Sequence, residues 1–149
     1  MAASDDDEVF EHLTGLIHQF KTHMRRSLQD GEQGLAPMEA RALGFFARHP
    51  SSTATQLAQH AGRDKAQVTR LIRELLERGF LESAPDEDDR RSHRMRLTER
   101  GREVQTVLRR QRKALARRML SDFSAEERAQ LSNLLRRMRA NADPLGAAD

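Results

Sequence analysis

The sequence predicts a mainly α-helical protein with one small β-hairpin. Apolar residues recur at spacings of three and four along most of the chain, which is typical of amphipathic helices. Between Phe80 and Thr98 this pattern is replaced by two segments, FLES and HRMRLT, that are short enough to be strands. In the second segment Met95 and Leu97 alternate with arginines, so one face of the predicted strand is apolar and the other is basic.

The N-terminal third of the chain predicts two helices. Apolar residues recur in a helical pattern from about Glu8 to the segment QDGEQGLAP, which interrupts it. A second helix is expected from Pro37 to Arg48, because Pro50 ends the pattern. Residues 1–7 are acidic and precede the first helical pattern, so we expect them to be disordered.

The segment from Thr53 to Gly79 predicts two helices joined by a short turn. Thr53 is placed to cap the first of them, and Gly62 is placed to end it. The second helix follows Asp64, which has capping-box spacing to Gln67. Gly79 then stands where a helix commonly ends in a left-handed residue.

Two further helices are predicted after the hairpin. Thr98 is placed to cap a long helix that extends to about Leu120. A last helix begins at Ser124, which has capping-box spacing to Glu127. The order of helix, tight turn, helix and hairpin is that of a winged helix-turn-helix.

Composition excludes several classes of function. The formal net charge is +3, and four acids lie within the first eight residues, so the rest of the chain is more basic and suits an anionic partner. The absence of cysteine excludes disulfides, thiolate metal sites and thiol-based redox sensing. No signal peptide is apparent, and no stretch approaches the roughly 20 apolar residues of a membrane span. We therefore expect a cytoplasmic protein without a membrane partner.

The exposed face of the helix after Asp64 is suited to DNA. It offers a small residue that permits close approach, an amide and a hydroxyl that suit base edges, and cations that suit phosphates or guanine. These residues are Lys65, Ala66, Gln67, Thr69, Arg70 and Arg73. The alternative is a merely solvated face, which more often mixes Glu and Lys throughout. Here Glu74 and Glu77 occur only in the C-terminal half of the helix.

The segment TQLAQHAG to LTERG, residues 55–101, resembles the core of the MarR family of bacterial transcriptional regulators. The matching elements include QLA, VTRLI, DRR and LT, in an order and spacing that are jointly specific. The resemblance extends from Phe10 to about Arg139. It implies a fold that is mainly α with a small β-hairpin wing, in which a winged helix-turn-helix is joined to a helical dimerisation lobe.

The resemblance implies an obligate homodimer and a division of the chain into five segments. They are a disordered acidic N-terminus (1–7), an N-terminal dimerisation helix (8–34), a winged helix-turn-helix DNA-binding lobe (35–98), C-terminal dimerisation helices (99–141) and a flexible tail (142–149). It also implies that the helix after Asp64 enters the major groove of double-stranded DNA while the hairpin enters the minor groove.

Four residues of the hairpin are candidate wing contacts with DNA by this resemblance. They are Asp89, Arg90, Arg91 and Arg94. The family pattern pairs the aspartate with the wing arginine, so we expect the carboxylate of Asp89 to position the guanidinium of Arg91. The acids that precede them, residues 86–88, are expected to point outward at the wing tip.

Members of the family commonly bind a small, often phenolic or lipophilic anion between the two lobes. The expected pocket is lined by the first helix, the Pro37–Arg48 helix and the start of the long helix. Its candidate lining residues are Phe20, Met24, Phe45 and Phe46. No cofactor and no metal site are expected, because the histidines of the first helix (His12, His18 and His23) are too far apart or on different sides.

These features predict a homodimeric, sequence-specific DNA-binding transcriptional regulator, which we interpret as a ligand-responsive repressor of a pseudo-palindromic operator. One alternative is a non-specific structural DNA-binding protein. Another is a winged-helix protein-interaction module, against which the cationic face of residues 65–73 argues. An enzyme is not expected, because no motif assembles an acid, a base and a nucleophile. The basic run 109–118 is interpreted as a solvated helix face, with nucleic-acid contact as its alternative.

Overall fold

The computed structural model describes residues 4–31 and 34–143. Its helices and strands in chain order are α1 (Asp5–Gln29), α2 (Pro37–Arg48), β1 (Ser52–Thr53), α3 (Ala54–Ala61), α4 (Lys65–Glu77), β2 (Leu81–Pro85), β3 (His93–Leu97), α5 (Glu99–Met119) and α6 (Ala125–Ala142). The chain divides into two compact units, Met1–Arg112 and Lys113–Asp149. The predicted fold class, mainly helical with a small β-hairpin, is confirmed.

The first helix begins earlier than expected. Ser4 is its N-cap: the hydroxyl of Ser4 accepts a hydrogen bond from the Asp7 amide, and the Asp7 carboxylate accepts one from the Ser4 amide. Acids in a first helical turn are stabilised by the helix dipole, so the acidic run favours helix here. The expectation of disorder over residues 1–7 is therefore wrong for residues 4–7. Residues 1–3 of that segment, and residues 144–149 of the predicted tail, lie outside the described residues.

The helix-turn-helix is formed by α3 and α4, with most of the predicted end signals. Thr53 and Gln56 form a reciprocal capping box at the start of α3, and Gly62 ends that helix with φ of 60°. Asp64 is the N-cap of α4, but its side chain makes no capping hydrogen bond, so the predicted capping box with Gln67 is wrong. The spacing permits that bond without requiring it, because an exposed carboxylate can be hydrated instead.

Three antiparallel strands form the sheet in the order β1-β3-β2. Leu81 pairs with Leu97, and Met95 pairs with Ser52 of β1 on its other side. Met95 and Leu97 are buried while Arg96 is exposed, which confirms the predicted alternation. The strand β1 was not predicted, because two residues carry no recognisable period.

The end of α4 passes into the sheet through a Schellman motif. Gly79 adopts φ of 74°, its amide donates to the Leu76 carbonyl at 3.0 Å, and the Phe80 amide donates to the Leu75 carbonyl at 2.9 Å. This turn buries Phe80 completely, in a core shared with α2 and with the apolar stripe of α4. The predicted C-terminal role of Gly79 is therefore confirmed.

Two helices carry apolar faces that the described chain does not cover. On α1, Phe10 is 63% exposed and Ile17 is 43% exposed. On α6 no residue is buried, and Leu134 and Leu135 are 46% and 37% exposed. Large apolar side chains at this exposure are typical of interaction surfaces rather than of a solvated face.

Substituting Gly101 by Ala is expected to destabilise the protein. A Cβ atom at this first-turn position of α5 would overlap the carbonyl oxygen of Phe80, which is backbone and cannot turn aside. We expect Gly101→Ala to lower the free energy of unfolding by about 1–3 kcal/mol, as overpacking does. Urea denaturation followed by circular dichroism would measure it.

The matched control is Gly15→Ala in α1, where an added Cβ would meet nothing within 4 Å. Alanine should stabilise that helix by up to about 1 kcal/mol, the opposite sign. Equal unfolding midpoints for Gly101→Ala and the native protein would contradict the proposed overlap.

Candidate nucleic-acid interface

The outer face of α4 presents the six residues that the sequence predicted for it. Lys65, Ala66, Gln67, Thr69, Arg70 and Arg73 are all exposed. The opposite stripe of α4, which includes Val68, Ile72 and Leu75, is buried in the core and fixes the rotation of the helix. The hydroxyl of Thr69 donates to the Lys65 carbonyl at 2.8 Å, so it offers its oxygen as an acceptor toward a ligand.

Two grooves flank α4 and divide its polar residues between them. A groove of about 390 Å³ lies between α4, the start of α3 and the hairpin, and Lys65, Thr69, Arg73 and Arg91 line it. A second groove of about 250 Å³ lies on the α2 side of α4, and its lining includes Gln67 and Arg70. The helix therefore carries its amide on one side and most of its cations on the side of the hairpin.

The loop of the hairpin is held by a buried aspartate. Asp86 is only 9% exposed, and its carboxylate lies 3.0 Å from Nη2 of Arg94. Nη1 of Arg94 donates to the Ser51 carbonyl oxygen at 2.8 Å, so this arginine joins the hairpin to the turn before β1. The hydrogen bond from Arg94, followed by one from the Asp88 amide, lowers the pKa of Asp86 below its ordinary value.

Two expectations about the acidic loop are corrected by this geometry. Asp86 does not point outward at the wing tip, because it is paired with Arg94. The carboxylate of Asp89 does not hold the Arg91 guanidinium; it accepts a hydrogen bond from the Arg91 backbone amide at 3.0 Å. A short aspartate side chain reaches the backbone two residues on more easily than a distant guanidinium. Arg90 and Arg91 are exposed at the end of the loop.

One ion pair beside α4 was missed by the sequence analysis. Glu39 of α2 is 5% exposed, and both its carboxylate oxygens lie 2.9 Å from Nη1 of Arg78 at the end of α4. One of these oxygens also accepts from the Ala36 amide, which completes the start of α2. The position of Glu39 three residues after Ala36 signals its capping role, but nothing local signals a partner 39 residues away.

The predicted ligand pocket is not formed by the predicted residues. Phe45 and Phe46 are buried in the core, with ring centroids 5.3 Å apart, and Phe45 also packs against His49 and His60. Their positions on the inner face of α2 bury them under α3 and the sheet, so they are not available to a ligand. Phe20 and Met24 are only partly buried on α1.

A different cavity, of about 320 Å³, lies between the end of α1 and the start of α5. Its lining consists of Ser27, Leu28, Gly31, Leu35, Arg100, Glu103, Val104, Val107, Leu108 and Gln111. The expected contributions of the first and the long helix are therefore present, while α2 contributes none. Arg100 is the arginine in this mainly apolar lining.

Two other kinds of feature are absent from residues 4–31 and 34–143. In that part of the chain, no helix is long and apolar enough to cross a membrane. The same residues contain no group of three or more histidines or carboxylates that could hold a metal ion.

The sequence is similar to those of HTH-type transcriptional regulators. A profile of the MarR family matches residues 33–92. The chain is 32% identical over 95 residues to the HTH-type transcriptional regulator YybA of Bacillus subtilis. This alignment covers 64% of this chain and 63% of YybA. It is also 32% identical over 93 residues to the HTH-type transcriptional regulator YdgJ of the same bacterium. That alignment covers 62% of this chain and 57% of YdgJ. The chain thus spans less than two thirds of the length of either relative.

Several solved structures share the fold over nearly the whole chain. Streptococcus pneumoniae FabT, solved in complex with DNA, aligns with a TM-score of 0.87 and 22% identity over 95% of this chain and 99% of that one. The structure of MarR aligns with a TM-score of 0.76 and 24% identity over 95% of each chain. A MarR family protein from Bacillus stearothermophilus gives a TM-score of 0.83 and 20% identity over 95% of this chain and 98% of that one.

The pKa of Asp86 provides a test of the loop geometry. The pKa of the Asp86 carboxyl is lower in the folded protein than in the unfolded chain, where it is near the ordinary 3.8. Such a group stabilises the fold fully when the pH is above its pKa in the unfolded chain. That stabilisation is lost as the pH falls through its pKa in the folded protein. The free energy of unfolding of Asp86→Asn should therefore fall furthest below that of the native protein at pH values above about 3.8, and the difference should shrink in more acidic solution. Denaturation at several pH values would measure it.

The matched control is Asp88→Asn, since Asp88 is an exposed neighbour on the same loop. A carboxyl titration followed by NMR should also show the pKa of Asp86 rising toward its ordinary value in Arg94→Gln. If Asp86 had its ordinary pKa in both the native protein and Arg94→Gln, the assigned ion pair would be contradicted.

Proposed function

We propose that this chain, which a profile of the MarR family matches over residues 33–92, is a MarR-family regulator: a homodimeric, sequence-specific DNA-binding protein that represses by binding a pseudo-palindromic operator. The family profile and the fold that the chain matches are those of transcriptional regulators rather than of enzymes. The observation that carries the proposal is the groove between α4 and the hairpin, where Lys65, Arg73 and Arg91 lie together. Three cations around one groove suit a polyanionic partner such as a DNA backbone.

The N-terminal half of α4 enters the major groove in this proposal. Gln67 and Arg70 line the side away from the hairpin, and these are the residue types that hydrogen-bond adenine and guanine edges in pairs. Lys65 and Arg73 line the side toward the hairpin and contact phosphates. Arg70 lies 3.6 Å from Glu74 in the free protein, a weak exposed pair that guanine can replace.

The hairpin enters the minor groove through the tip of its loop. Arg90 and Arg91 are exposed there, whereas Arg94 is bonded to Asp86 and to the Ser51 carbonyl. We therefore divide the four predicted wing residues into two roles. Arg90 and Arg91 contact DNA, while Asp89 and Arg94 shape the loop that carries them.

The partner that covers the exposed apolar faces is a second copy of the chain. Phe10 and Ile17 on α1 and Leu134 and Leu135 on α6 form apolar faces that burial would stabilise by roughly 25 cal/mol per Å². A two-fold dimer presents two copies of α4 to successive turns of one face of DNA, which accounts for a pseudo-palindromic operator.

A small lipophilic or phenolic anion acts as the signal in this proposal. The cavity between α1 and α5 combines the cation Arg100 with the apolar walls of Leu28, Val104 and Val107. An anion bound there weakens operator binding only if it prefers the conformation that does not bind DNA, and a tenfold loss requires about 1.4 kcal/mol of preference.

Selection of bound duplexes from a random pool tests the proposed function. A regulator should enrich one motif with two related halves about one helical turn apart. Equal retention of all sequences would favour the non-specific structural DNA-binding alternative, and no retention at low salt would favour the protein-interaction module.

Substituting Arg91 by Ala is expected to weaken binding of the selected duplex while the fold stays intact. Loss of an arginine from the minor groove should cost about 1–3 kcal/mol, as other groove contacts do. Fluorescence anisotropy at moderate salt would measure the affinity. Arg109→Ala removes the same charge from the exposed face of α5 and should leave binding nearly unchanged; equal affinity of the Arg91 variant and the native protein would refute the contact.

Removing residues 1–28 is expected to give aggregated or unfolded protein rather than a folded monomer. The deletion removes nearly all of α1, and with it an exposed apolar face through which the proposed dimer assembles. Size-exclusion chromatography with circular dichroism would decide the outcome. A soluble, helical and monomeric truncation would show that α1 is dispensable for folding and assembly.

A further inference from the structure

We propose that Arg100 is the positioning residue through which an anion in the cavity between α1 and α5 releases the C-terminal end of α4. The proposal rests on the proposed ligand response and names the side chain that transmits it. It further commits to a class of ligand: an elongated lipophilic monoanion that carries a hydrogen-bond donor at its far end.

Arg100 belongs both to the cavity and to the end of α4. Its side chain lines the cavity in the first turn of α5. Its Nη1 also donates to the carbonyl oxygen of Arg78, the C-cap residue of α4, at 3.1 Å. Its guanidinium carbon lies 4.7 Å from the centre of the buried Phe80 ring. One side chain therefore contacts both the ligand space and the residues that end α4.

Arg78 and Arg100 hold Phe80 in different ways. Both guanidinium groups stack on the Phe80 ring, at 5.0 and 4.7 Å from its centre. Arg78 is anchored by the buried carboxylate of Glu39. Among the residues that the structure describes, no carboxylate forms an ion pair with Arg100, although Arg78 and Arg102 each have one. Arg100 is thus the exchangeable member of the pair, because an incoming anion offers it a counter-ion that the protein does not.

Anion binding withdraws Arg100 from the end of α4. When the guanidinium turns toward a carboxylate in the cavity, the Arg78 carbonyl loses its donor and the Phe80 ring loses one of its two cations. The Schellman turn at Gly79 and Phe80 is then held only by its backbone hydrogen bonds and by the Arg78–Glu39 pair. The coupling is reciprocal, so DNA that requires the held position of α4 weakens anion binding by the same factor.

The far end of the cavity defines the rest of the ligand. Oε1 of Gln111 is buried there without a hydrogen-bond partner among the described residues, so it is an acceptor that requires a donor. Arg100 and Gln111 lie about 16 Å apart along the helix axis, with Val104, Val107 and Leu108 between them. Glu103 also lines the cavity, which disfavours a second negative charge on the ligand.

The first arm of the experiment needs no ligand. Hydrogen exchange of the dimer should show faster exchange of the Gly79 and Phe80 amides in Arg100→Gln, by about fivefold, because a hydrogen bond from a charged donor is lost. Affinity for the selected duplex should fall by a similar factor. Arg109→Gln, which removes the same charge further along α5, should change neither quantity, and Arg100→Lys should fall between.

The second arm uses ω-hydroxydecanoate as the probe and decanediol as its neutral counterpart. The anion should raise exchange at Gly79 and Phe80 in the native protein and lower its duplex affinity, while decanediol should do neither. In Arg100→Gln the anion should have no further effect on exchange or affinity. A merely structural role of Arg100 would not abolish the response to the anion.

The outcomes separate this proposal from the proposed function. Failure of the native protein to select any duplex overturns the regulator, while the exchange arm still decides the role of Arg100. If the protein selects an operator but Arg100→Gln keeps the native exchange rates at Gly79 and Phe80 and the native duplex affinity, the proposed role of Arg100 is overturned. If the protein selects an operator and Arg100→Gln still responds to the anion as the native protein does, the sensing belongs to another residue. If the anion has no effect on the native protein, the proposed class of ligand is overturned.

Discussion

The arrangement of α4, the hairpin and α5 depends on how Phe80 is held. Its amide closes the Schellman turn of α4, and its carbonyl accepts from the Thr98 amide at 3.1 Å, which fixes the start of α5. The ring is fully buried, and the guanidinium carbons of Arg78 and Arg100 lie 5.0 and 4.7 Å from its centre. Gly101 allows α5 to approach this carbonyl closely, since no side chain fits there. One residue therefore sets the angles at which three elements leave the core.

The juxtaposition of acids and arginines in the hairpin has a structural explanation. The four acids do not act as a group: Asp86 is buried against Arg94, Asp89 bonds to the backbone of Arg91, and the residues between them are exposed. The first acid fixes the base of the loop and the last one fixes its turn. Because both bonds are internal, the loop reaches its shape before any partner arrives, which reduces the entropy lost on binding.

Local signals in the sequence predicted most of the fold. Thr53, Gly62, Gly79 and Ser124 mark helix ends through interactions within a few residues, and the structure has helix ends at each of them. The periodicity of α4 likewise predicted which of its residues are exposed, because one face of a helix that packs on a core must remain in solvent. Whether these exposed residues contact DNA is a property of the complex and stays a prediction.

Errors arose where the deciding partner is distant in the chain or where a pattern is too short. The pair of Glu39 with Arg78, and the pair of Asp86 with Arg94, depend on how separate elements meet. Burial of Phe45 and Phe46 depends on the packing of α3 and the sheet over α2. Aromatic residues at helical spacing suit a core and a pocket equally well, so the sequence could not distinguish these roles.

The pairing of Asp86 with Arg94 also bears on how the proposed binding to DNA would depend on ionic strength. Binding to DNA weakens with salt in proportion to the phosphates that the protein neutralises, since each releases condensed counterions. Arg94 is already balanced by a carboxylate 3.0 Å away, so it adds little to that release. A hairpin rich in arginine thus behaves, thermodynamically, as one with fewer free charges. In the proposed function, this lowers the attraction of the hairpin to DNA of unrelated sequence.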